Sequence, residues 1–330
     1  FTTSDLWRLS RVVVESGVKK VGSILVDQAR FDEHFVPPAF EQQPNEWAAF
    51  RAPVSALALD RNTVTLQVLP TEAGQPARVW YEPPGAVVGK GSVETGAADV
   101  GDRVGWTLLP QAGSSLLASS VAGSLAAGSG RHRYSRRLDD PRLVPGYALR
   151  ELLLQQGVTV SGEVKLGQEA GAPRLVHLES APLGEIVRAL GKESDNFTAE
   201  MLLIALSHLE GSGEGVAQRP WSTSRGLVVL KKWLEDRALT AEGLQLKNGS
   251  GLFDANRLSP RILARVLRLM LDRPGVYAEF LGQLALGIPR CRVRIPGRDH
   301  LVGLIEPDQA VLGELDHIGR LHRRDNRQEV

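Results

Sequence analysis

The 330-residue chain lacks the features of a disulfide-rich, membrane-spanning or nucleic-acid-binding protein. Its single cysteine, Cys291, cannot pair within the chain or fill a multi-cysteine zinc site. No run reaches the roughly 18 to 20 apolar residues that a membrane helix needs. With 39 basic and 38 acidic side chains, the formal charge of +1 supplies no broad positive field for nucleic acid. We therefore expect no nucleic-acid partner.

The sequence also lacks the common short motifs of nucleotide and metal chemistry. It has no Gly-x-Gly-x-x-Gly between a strand and a helix, no His-Glu-x-x-His and no Gly-x-Ser-x-Gly. Gly85–Lys90 (GAVVGK) has its glycines one residue too close for a phosphate-binding loop, and Gly91 stands where a hydroxyl should hold magnesium. His300, His317 and His322 show no metal-ligand spacing. We expect neither a metal nor an organic cofactor.

What is present indicates a globular protein of about two domains. The apolar fraction is 42% and the charged fraction 23%, which is enough to bury a core. Residues 2–17 predict an amphipathic helix that opens with a capping box formed by Thr2 and Asp5. From residue 21 to about 165, apolar and polar residues alternate, as in residues 64–68. This middle part is therefore predicted to be mostly β-structure.

Helical spacing interrupts the β-rich part once and dominates after it. The predicted helices are Gly146–Gln156, Pro182–Leu190, Phe197–Leu209, Thr223–Arg237 and Ser259–Asp272. Ser259 is the predicted N-cap of the last helix, with Pro260 in its first turn. The small-residue run Ser114–Gly130 is predicted to be a closely packed segment or a loop.

The most informative segment is Ser194-Asp195-Asn196, which lies between two predicted helices. Its short polar side chains could simply cap the following helix. The functional alternative is the Ser-Asp-Asn element of serine acyl transferases that also carry Ser-x-x-Lys and Lys-Thr-Gly. In that chemistry a hydroxyl passes a proton between the lysine and the leaving amine, while an amide orients the acyl carbonyl.

The surrounding sequence resembles the low-molecular-weight, class C penicillin-binding proteins, the D-alanyl-D-alanine carboxypeptidase/endopeptidases. The resemblance covers roughly residues 1–286. The segments that carry it are the opening TTSDLWRLSRVVVESGVKKVGSILVDQARFD, Ala52–Asn62 (APVSALALDRN), Val144–Val164, the run SAPLGEIVRALGKESDNFTAEMLL from Ser180, and Lys247–Pro260 (KNGSGLFDANRLSP).

The resemblance implies an α+β fold, in which a penicillin-binding, transpeptidase-like (β-lactamase-like) domain is interrupted by a large β-rich insert. The expected division is a helix at 1–20, the insert at 21–180, a helical part with Ser-Asp-Asn at 181–286, and a divergent tail at 287–330. It implies that Ser194 is a proton relay and that Asn196 is a catalytic amide that also binds substrate. Asp195 would hold the turn, and Lys192 would anchor the loop.

The sequence departs from the family pattern near both ends. The nucleophile element should precede the TTSDLW segment, and the literal Ser-x-x-Lys at Ser16–Lys19 lies in ordinary family sequence after that motif. Lys247-Asn248-Gly249 resembles Lys-Thr-Gly in letters only, since it lies inside the preceding family segment. From Gly287 the resemblance stops, and residues 288–330 contain eight arginines and no lysine. We expect a chain that is incomplete at both ends, with a frameshifted rather than merely divergent tail that packs poorly.

Three functional interpretations follow. The first is a serine-type D-Ala-D-Ala carboxypeptidase/endopeptidase that acts on peptidoglycan stem peptides and binds β-lactams, with little activity in this chain. The second is a non-catalytic, cell-wall-associated remnant or binding protein. The third is an unrelated α+β protein with a chance tripeptide, whose Ser194 and Asn196 would lie far from any cleft. The first two imply a periplasmic or other extracytoplasmic location.

Overall fold

A computed structural model describes residues 1–99, 101–111, 116–210 and 219–284. Within these ranges one helix comes first, a mostly β-stranded part with one further helix follows, and five helices lie between residues 183 and 283. The helices are α1 (Thr3–Glu15), α2 (Val144–Gln155), α3 (Leu183–Glu193), α4 (Asn196–Ala205), α5 (Thr223–Glu235), α6 (Pro260–Leu271) and α7 (Pro274–Gln283). The strands are β1 (Lys20–Val21), β2 (Ile24–Val26), β3 (Thr63–Leu69), β4 (Arg78–Glu82), β5 (Val87–Gly96), β6 (Arg103–Pro110), β7 (Leu117–Ala126), β8 (His132–Arg137), β9 (Thr159–Val160) and β10 (Val164–Leu166).

The predicted helices are all present, with small shifts of their ends. The capping box of α1 is confirmed, because the Thr2 hydroxyl accepts from the Asp5 amide and the Asp5 carboxylate accepts from the Thr2 amide. Ser259 caps α6 by accepting from the Ile262 amide, and Pro260 is the first residue of that helix. Local capping chemistry therefore sets these helix starts.

Two three-stranded sheets form the β-rich part. In the first, β3 pairs antiparallel with both β4 and β8. In the second, β7 lies between β5, to which it is parallel, and β6, to which it is antiparallel. Leu66 and Val68 of β3 point toward Val93, Val121 and Leu125 of the second sheet in one buried cluster. The predicted alternation therefore separates a core-facing side of β3 from a polar side.

The run Ser114–Gly130 is a strand over most of its described length. Its residues from Leu117 to Ala126 form β7, the central strand of the second sheet, so the prediction of close packing is confirmed and the loop alternative is wrong. A Cβ at Gly123 would lie 2.0 Å from the Arg103 carbonyl oxygen, which explains why a small residue is needed there. The GAVVGK segment runs into β5 and forms no phosphate-binding loop.

Two short pairs of parallel strands join the segment after α1 to the segment after α2. Strand β1 pairs with β9, and β2 pairs with β10. Ile24, Val26 and Val164 share a buried cluster with Leu153 of α2. A Cβ at Gly146 would come within 2.6 Å of the Val26 side chain, so α2 packs directly on these strands.

Several predictions fall on residues outside the described ranges. They concern the poorly packed tail 288–330, Cys291 and the three histidines of that stretch. Within the described ranges, no helix is long and apolar enough to cross a membrane. The same ranges contain no group of three or more side chains suited to hold a metal ion.

Candidate active site

The Ser-Asp-Asn element forms the turn between α3 and α4. Ser194 follows the last residue of α3 in a left-handed conformation, with φ at 53°. Asp195 is the N-cap of α4: its carboxylate accepts from the Thr198 amide at 3.4 Å and from the Thr198 hydroxyl at 2.6 Å. Asn196 is the first residue of α4. The capping interpretation is therefore correct for Asp195.

Arg61, which is distant in sequence, contacts both acidic residues of this turn. Its Nη2 lies 3.0 Å from Glu193 Oε2, and its Nε lies 3.0 Å from Asp195 Oδ2. Arg61 belongs to a run of three positive-φ residues that ends at Asn62. The buried Asn62 amide donates to the Pro53 carbonyl at 2.9 Å. An anchored, left-handed segment therefore presents the guanidinium to both acids that flank Ser194.

Ser194 and Asn196 both line a cavity of about 1080 Å³. The exposed Ser194 hydroxyl has no hydrogen-bond partner among the described residues. The Asn196 side-chain nitrogen donates to the Phe50 carbonyl at 3.4 Å. The Asn196 side-chain oxygen takes no part in this hydrogen bond. The prediction of a chance tripeptide far from any cleft is therefore wrong.

The Phe50 carbonyl is held in place by its neighbour Arg51. The Arg51 guanidinium is only 4% exposed and donates to the carbonyls of Phe40, Gln43 and Glu46. Burial lowers the pKa of Arg51, although an arginine stays charged in proteins. The buried cation thus fixes the backbone segment that contacts Asn196.

A second part of the cavity wall is the polar face of the first sheet, which we name the sheet face. It comprises Thr63, Thr65, Glu82, Arg133 and Ser135. Thr65 lies directly between Glu82 on β4 and Ser135 on β8, so these side chains share one side of the sheet. None of these residues is predicted as a site residue from the sequence. The alternation of β3 was the only signal of this wall, and alternation does not tell which way a polar face points.

The start of α1 also lines the cavity, through Thr2, Thr3 and Trp7, and we call it the rim. Asp60 fixes this turn, because its carboxylate accepts from the Thr3 amide at 2.9 Å and from the Thr3 hydroxyl. The hydrogen bond from the Thr2 hydroxyl lowers the pKa of Asp5 below its usual value. Helix capping therefore also shapes the cavity edge.

Other sequence candidates lie away from the cavity. The Lys192 ammonium donates to the Leu284 carbonyl, which ties α3 to the end of α7. Ser16 lies at the far end of α1, about 20 Å from Thr3 at 1.5 Å per residue, and its hydroxyl donates to the Val13 carbonyl. Thus Ser16–Lys19 and Ser194 do not share one site.

The segment Lys247-Asn248-Gly249 is a loop and not an edge strand. The fully buried Glu200 of α4 accepts from the Gly249 and Ser250 amides, each at 2.9 Å. A Cβ at Gly249 would lie 2.4 Å from the Ala199 carbonyl oxygen, so the loop needs glycine to reach α4. This loop supports the helix that begins at Asn196.

The fold is that of a penicillin-binding protein. Residues 1–286 match the family model of the D-Ala-D-Ala carboxypeptidase 3 (S13) family, and the chain belongs to that family. The predicted resemblance and its α+β fold class are thereby confirmed.

Individual relatives agree with the family. The chain is 31% identical over 274 residues to a D-alanyl-D-alanine carboxypeptidase from Actinomadura sp. (strain R39), a match that covers 77% of this chain and 47% of that protein. Penicillin binding protein 4 from Haemophilus influenzae has a similar fold, with a TM-score of 0.61 at 20% identity over 86% of this chain and 60% of that one. Its complex with a β-lactam gives a TM-score of 0.57 at 19% identity, over 86% and 59% of the two chains. The chain thus spans about half the length of its curated relative.

Proposed function

We propose that this chain is the larger part of a serine-type D-Ala-D-Ala carboxypeptidase/endopeptidase that acts on peptidoglycan stem peptides. A serine oxygen attacks the carbonyl between the two D-alanines, its proton passes to the departing amine, and the terminal D-alanine leaves. Water then attacks the acyl-enzyme, restores the serine and releases the shortened peptide. The proposal includes the transpeptidase-like domain split by the β-rich insert, and an extracytoplasmic location, where stem peptides occur.

The observation that carries this proposal is the convergence of Ser194 and Asn196 on one cavity. The Ser194 hydroxyl can relay a proton to the leaving amine because it is exposed and unbonded among the described residues. The Asn196 amide can orient the substrate's acyl carbonyl by donating its second N–H. Asp195 and Lys192 are supporting residues, since both make contacts that hold the turn.

The same residues make a site for β-lactams, whose strained amide takes the place of the D-Ala-D-Ala bond. Attack, proton relay and carbonyl orientation all come from side chains, so the proposed reaction needs no metal or organic cofactor. Its partners would be stem peptides and β-lactams.

Acylation by a fluorescent penicillin tests the proposal. We expect no covalent labelling of the 330-residue chain, because its only Ser-x-x-Lys lies at the far end of α1. Loss of a serine nucleophile costs on the order of a millionfold in turnover. A chain extended before Phe1 by a family Ser-x-x-Lys segment and completed after residue 286 by a family Lys-Thr-Gly segment should be labelled. Ser194→Ala or Asn196→Ala should slow that labelling by about 100-fold or more.

Ser207→Ala is the matched control, because Ser207 is a buried serine just after α4 that bonds Ser222 rather than the cavity. It should leave the labelling rate of the extended chain unchanged. Failure of the extended chain to be labelled would instead favour the second interpretation, a non-catalytic cell-wall remnant. The separation of Ser16 from the cavity is the observation that keeps this alternative open.

A further inference from the structure

Three consecutive residues before β3 adopt the left-handed conformation, and we name them the 60–62 turn. The φ angles of Asp60, Arg61 and Asn62 are 49°, 56° and 53°. This conformation is unfavourable for residues other than glycine, and arginine tolerates it less well than Asp or Asn. Such strain persists only where surrounding contacts hold it, and it is concentrated at functional sites. The 60–62 turn must therefore be held from several sides.

Two neighbouring residues of the 60–62 turn bind two different elements of the site. The Asp60 amide donates to the Phe1 carbonyl at 3.0 Å, and the Asp60 carboxylate accepts from the Thr3 amide at 2.9 Å. Arg61 binds the two acidic residues that flank Ser194, each at 3.0 Å. Consecutive Cα atoms are 3.8 Å apart. The start of α1 and the Ser-Asp-Asn turn are therefore bound from positions one residue apart.

The third residue anchors the 60–62 turn in the interior. Asn62 is 1% exposed, and its side-chain amide donates to the Pro53 carbonyl and the Ser55 hydroxyl, both at 2.9 Å. The Asn62 carbonyl accepts from the Leu138 amide at 3.0 Å, and β3 begins at the next residue. The turn is thus fixed to the first sheet while its two other side chains reach the site.

The arginine side chain suits its double contact. Two different N–H groups of one planar guanidinium bind two carboxylates, Nε that of Asp195 and Nη2 that of Glu193. A lysine has one ammonium on a flexible chain and cannot reproduce this geometry. The Arg61 side chain is 55% exposed, and exposed ion pairs add little to stability. The double contact therefore fixes the direction of the Ser-Asp-Asn turn more than it stabilises the fold.

We infer that Arg61 is a positioning residue that acts through Ser194. Together with Asp60, it holds the Ser194 hydroxyl at a set distance from the start of α1, directly before which the proposed function places the nucleophile. This inference rests on the proposed function and adds a residue to it. A proton relay works only within hydrogen-bond distance of the groups it serves, and a displacement of 1 Å can cost about 100-fold in rate. Arg61 itself makes and breaks no bond in the reaction.

Arg61→Gly separates positioning from folding. Glycine adopts the left-handed conformation without strain, so the variant removes the guanidinium and should leave the urea midpoint nearly unchanged. In the 330-residue chain, hydrogen exchange should become about tenfold faster at the Asp195 and Thr198 amides, whose acceptors lie within the turn and the end of α3. The amides of β7, in the second sheet, should exchange at an unchanged rate.

The chain extended before Phe1 and completed after residue 286 measures the effect on the reaction. We expect Arg61→Gly to lower the rate constant of acylation by a fluorescent penicillin about tenfold, and to change the dissociation constant of the noncovalent complex by less than about twofold. In a Ser194→Ala background the same substitution should have almost no further effect, because Arg61 acts through that hydroxyl. Arg61→Lys should retain part of the rate, since it keeps the charge but not the double contact.

Two controls match the two parts of this substitution. Ala238→Gly places glycine at another left-handed position, with φ at 50°, after the end of α5. Arg268→Ala removes an exposed arginine of α6 from its ion pair with Asp272. Both residues lie outside the cavity lining, so neither variant should change hydrogen exchange in the Ser-Asp-Asn turn or the rate of labelling.

The outcomes separate the two claims. If Arg61→Gly leaves the exchange or the acylation rate unchanged, or slows acylation equally with and without the Ser194 hydroxyl, the positioning role is refuted and the proposed function survives. A large fall in the urea midpoint would refute it as well, because Arg61 would then support the fold. If the completed chain is not labelled with Arg61 intact, the proposed function fails, and the positioning role fails with it.

Discussion

The two walls of the cavity are built from different interactions. The sheet face stands on a hydrophobic core between two sheets, in which Leu66, Val68 and Leu125 are completely buried. The turn wall follows α3, a helix with no buried residue, and it is held by polar contacts from Arg61 and to Leu284. One wall is therefore fixed by apolar packing and the other by a few directional bonds.

Because of this difference, we expect the sheet face to govern the free energy of unfolding and the turn wall to govern the positions of Ser194 and Asn196. Truncating the sheet core removes apolar contacts that many neighbours share, so the loss is large and global. Changing a polar contact at the turn can shift Ser194 and Asn196 without disturbing the sheets. Three substitutions test this contrast.

The largest effect is expected for the sheet core. Leu66→Ala should lower the free energy of unfolding by about 2 to 5 kcal/mol, because it leaves a cavity between the sheets. Urea denaturation measures the loss. Leu267→Ala on α6, where the side chain is 47% exposed, should cost only about 0.5 kcal/mol. Similar losses for the two variants would contradict the contrast between the walls.

An intermediate effect is expected for the support beneath the turn wall. Glu200→Gln replaces a buried acceptor with an amide, whose NH₂ would face one of the Gly249 and Ser250 amides. The loss should be about 1 to 3 kcal/mol, the usual cost of an unsatisfied buried group. Urea denaturation measures it, and hydrogen exchange should become faster at those two amides.

Glu193→Gln is the control for that variant. Glu193 is 57% exposed in its ion pair with Arg61, so its loss should cost less than about 1 kcal/mol. Equal costs for the two glutamates would mean that the buried carboxylate does not support the helix.

The smallest effect concerns the rim and depends on pH. The Thr2 hydroxyl lowers the pKa of Asp5 in the folded state. A carboxylate with a lowered pKa stabilises the fold above its unfolded pKa of about 3.9, and that stability disappears as pH falls through the folded pKa. The stability difference between the parent chain and Asp5→Asn should thus be small at pH 6 and vanish toward pH 2. A difference that is constant with pH would argue against the carboxylate's role in the capping box.

The sequence predicted elements whose signals are local. The capping box of α1, the cap at Ser259 and the inward-facing residues of β3 follow from patterns of a few residues. The run Ser114–Gly130 is compatible with two alternatives on sequence alone, because small residues indicate close packing but not the segment against which they pack. Pairing with β5 and β6 resolved it as a central strand.

The residues of the candidate site also fall into those marked by a local sequence signal and those without one. Ser194 and Asn196 were found because a three-residue motif with family context marks them. Arg61, Glu82 and Arg133 were missed, because each is a single charged residue that becomes part of the site only through a long-range contact. Arg61 lies more than a hundred positions from Asp195 in the chain, so no local window contains both.

The family, the helix caps and the buried face of β3 follow from the amino-acid sequence, since they depend on residue type and short spacing. That the polar face of β3 lines the same cavity as the Ser-Asp-Asn turn follows only from the three-dimensional fold. The direction of that face depends on how the two three-stranded sheets pack on each other, which is a property of distant residues taken together.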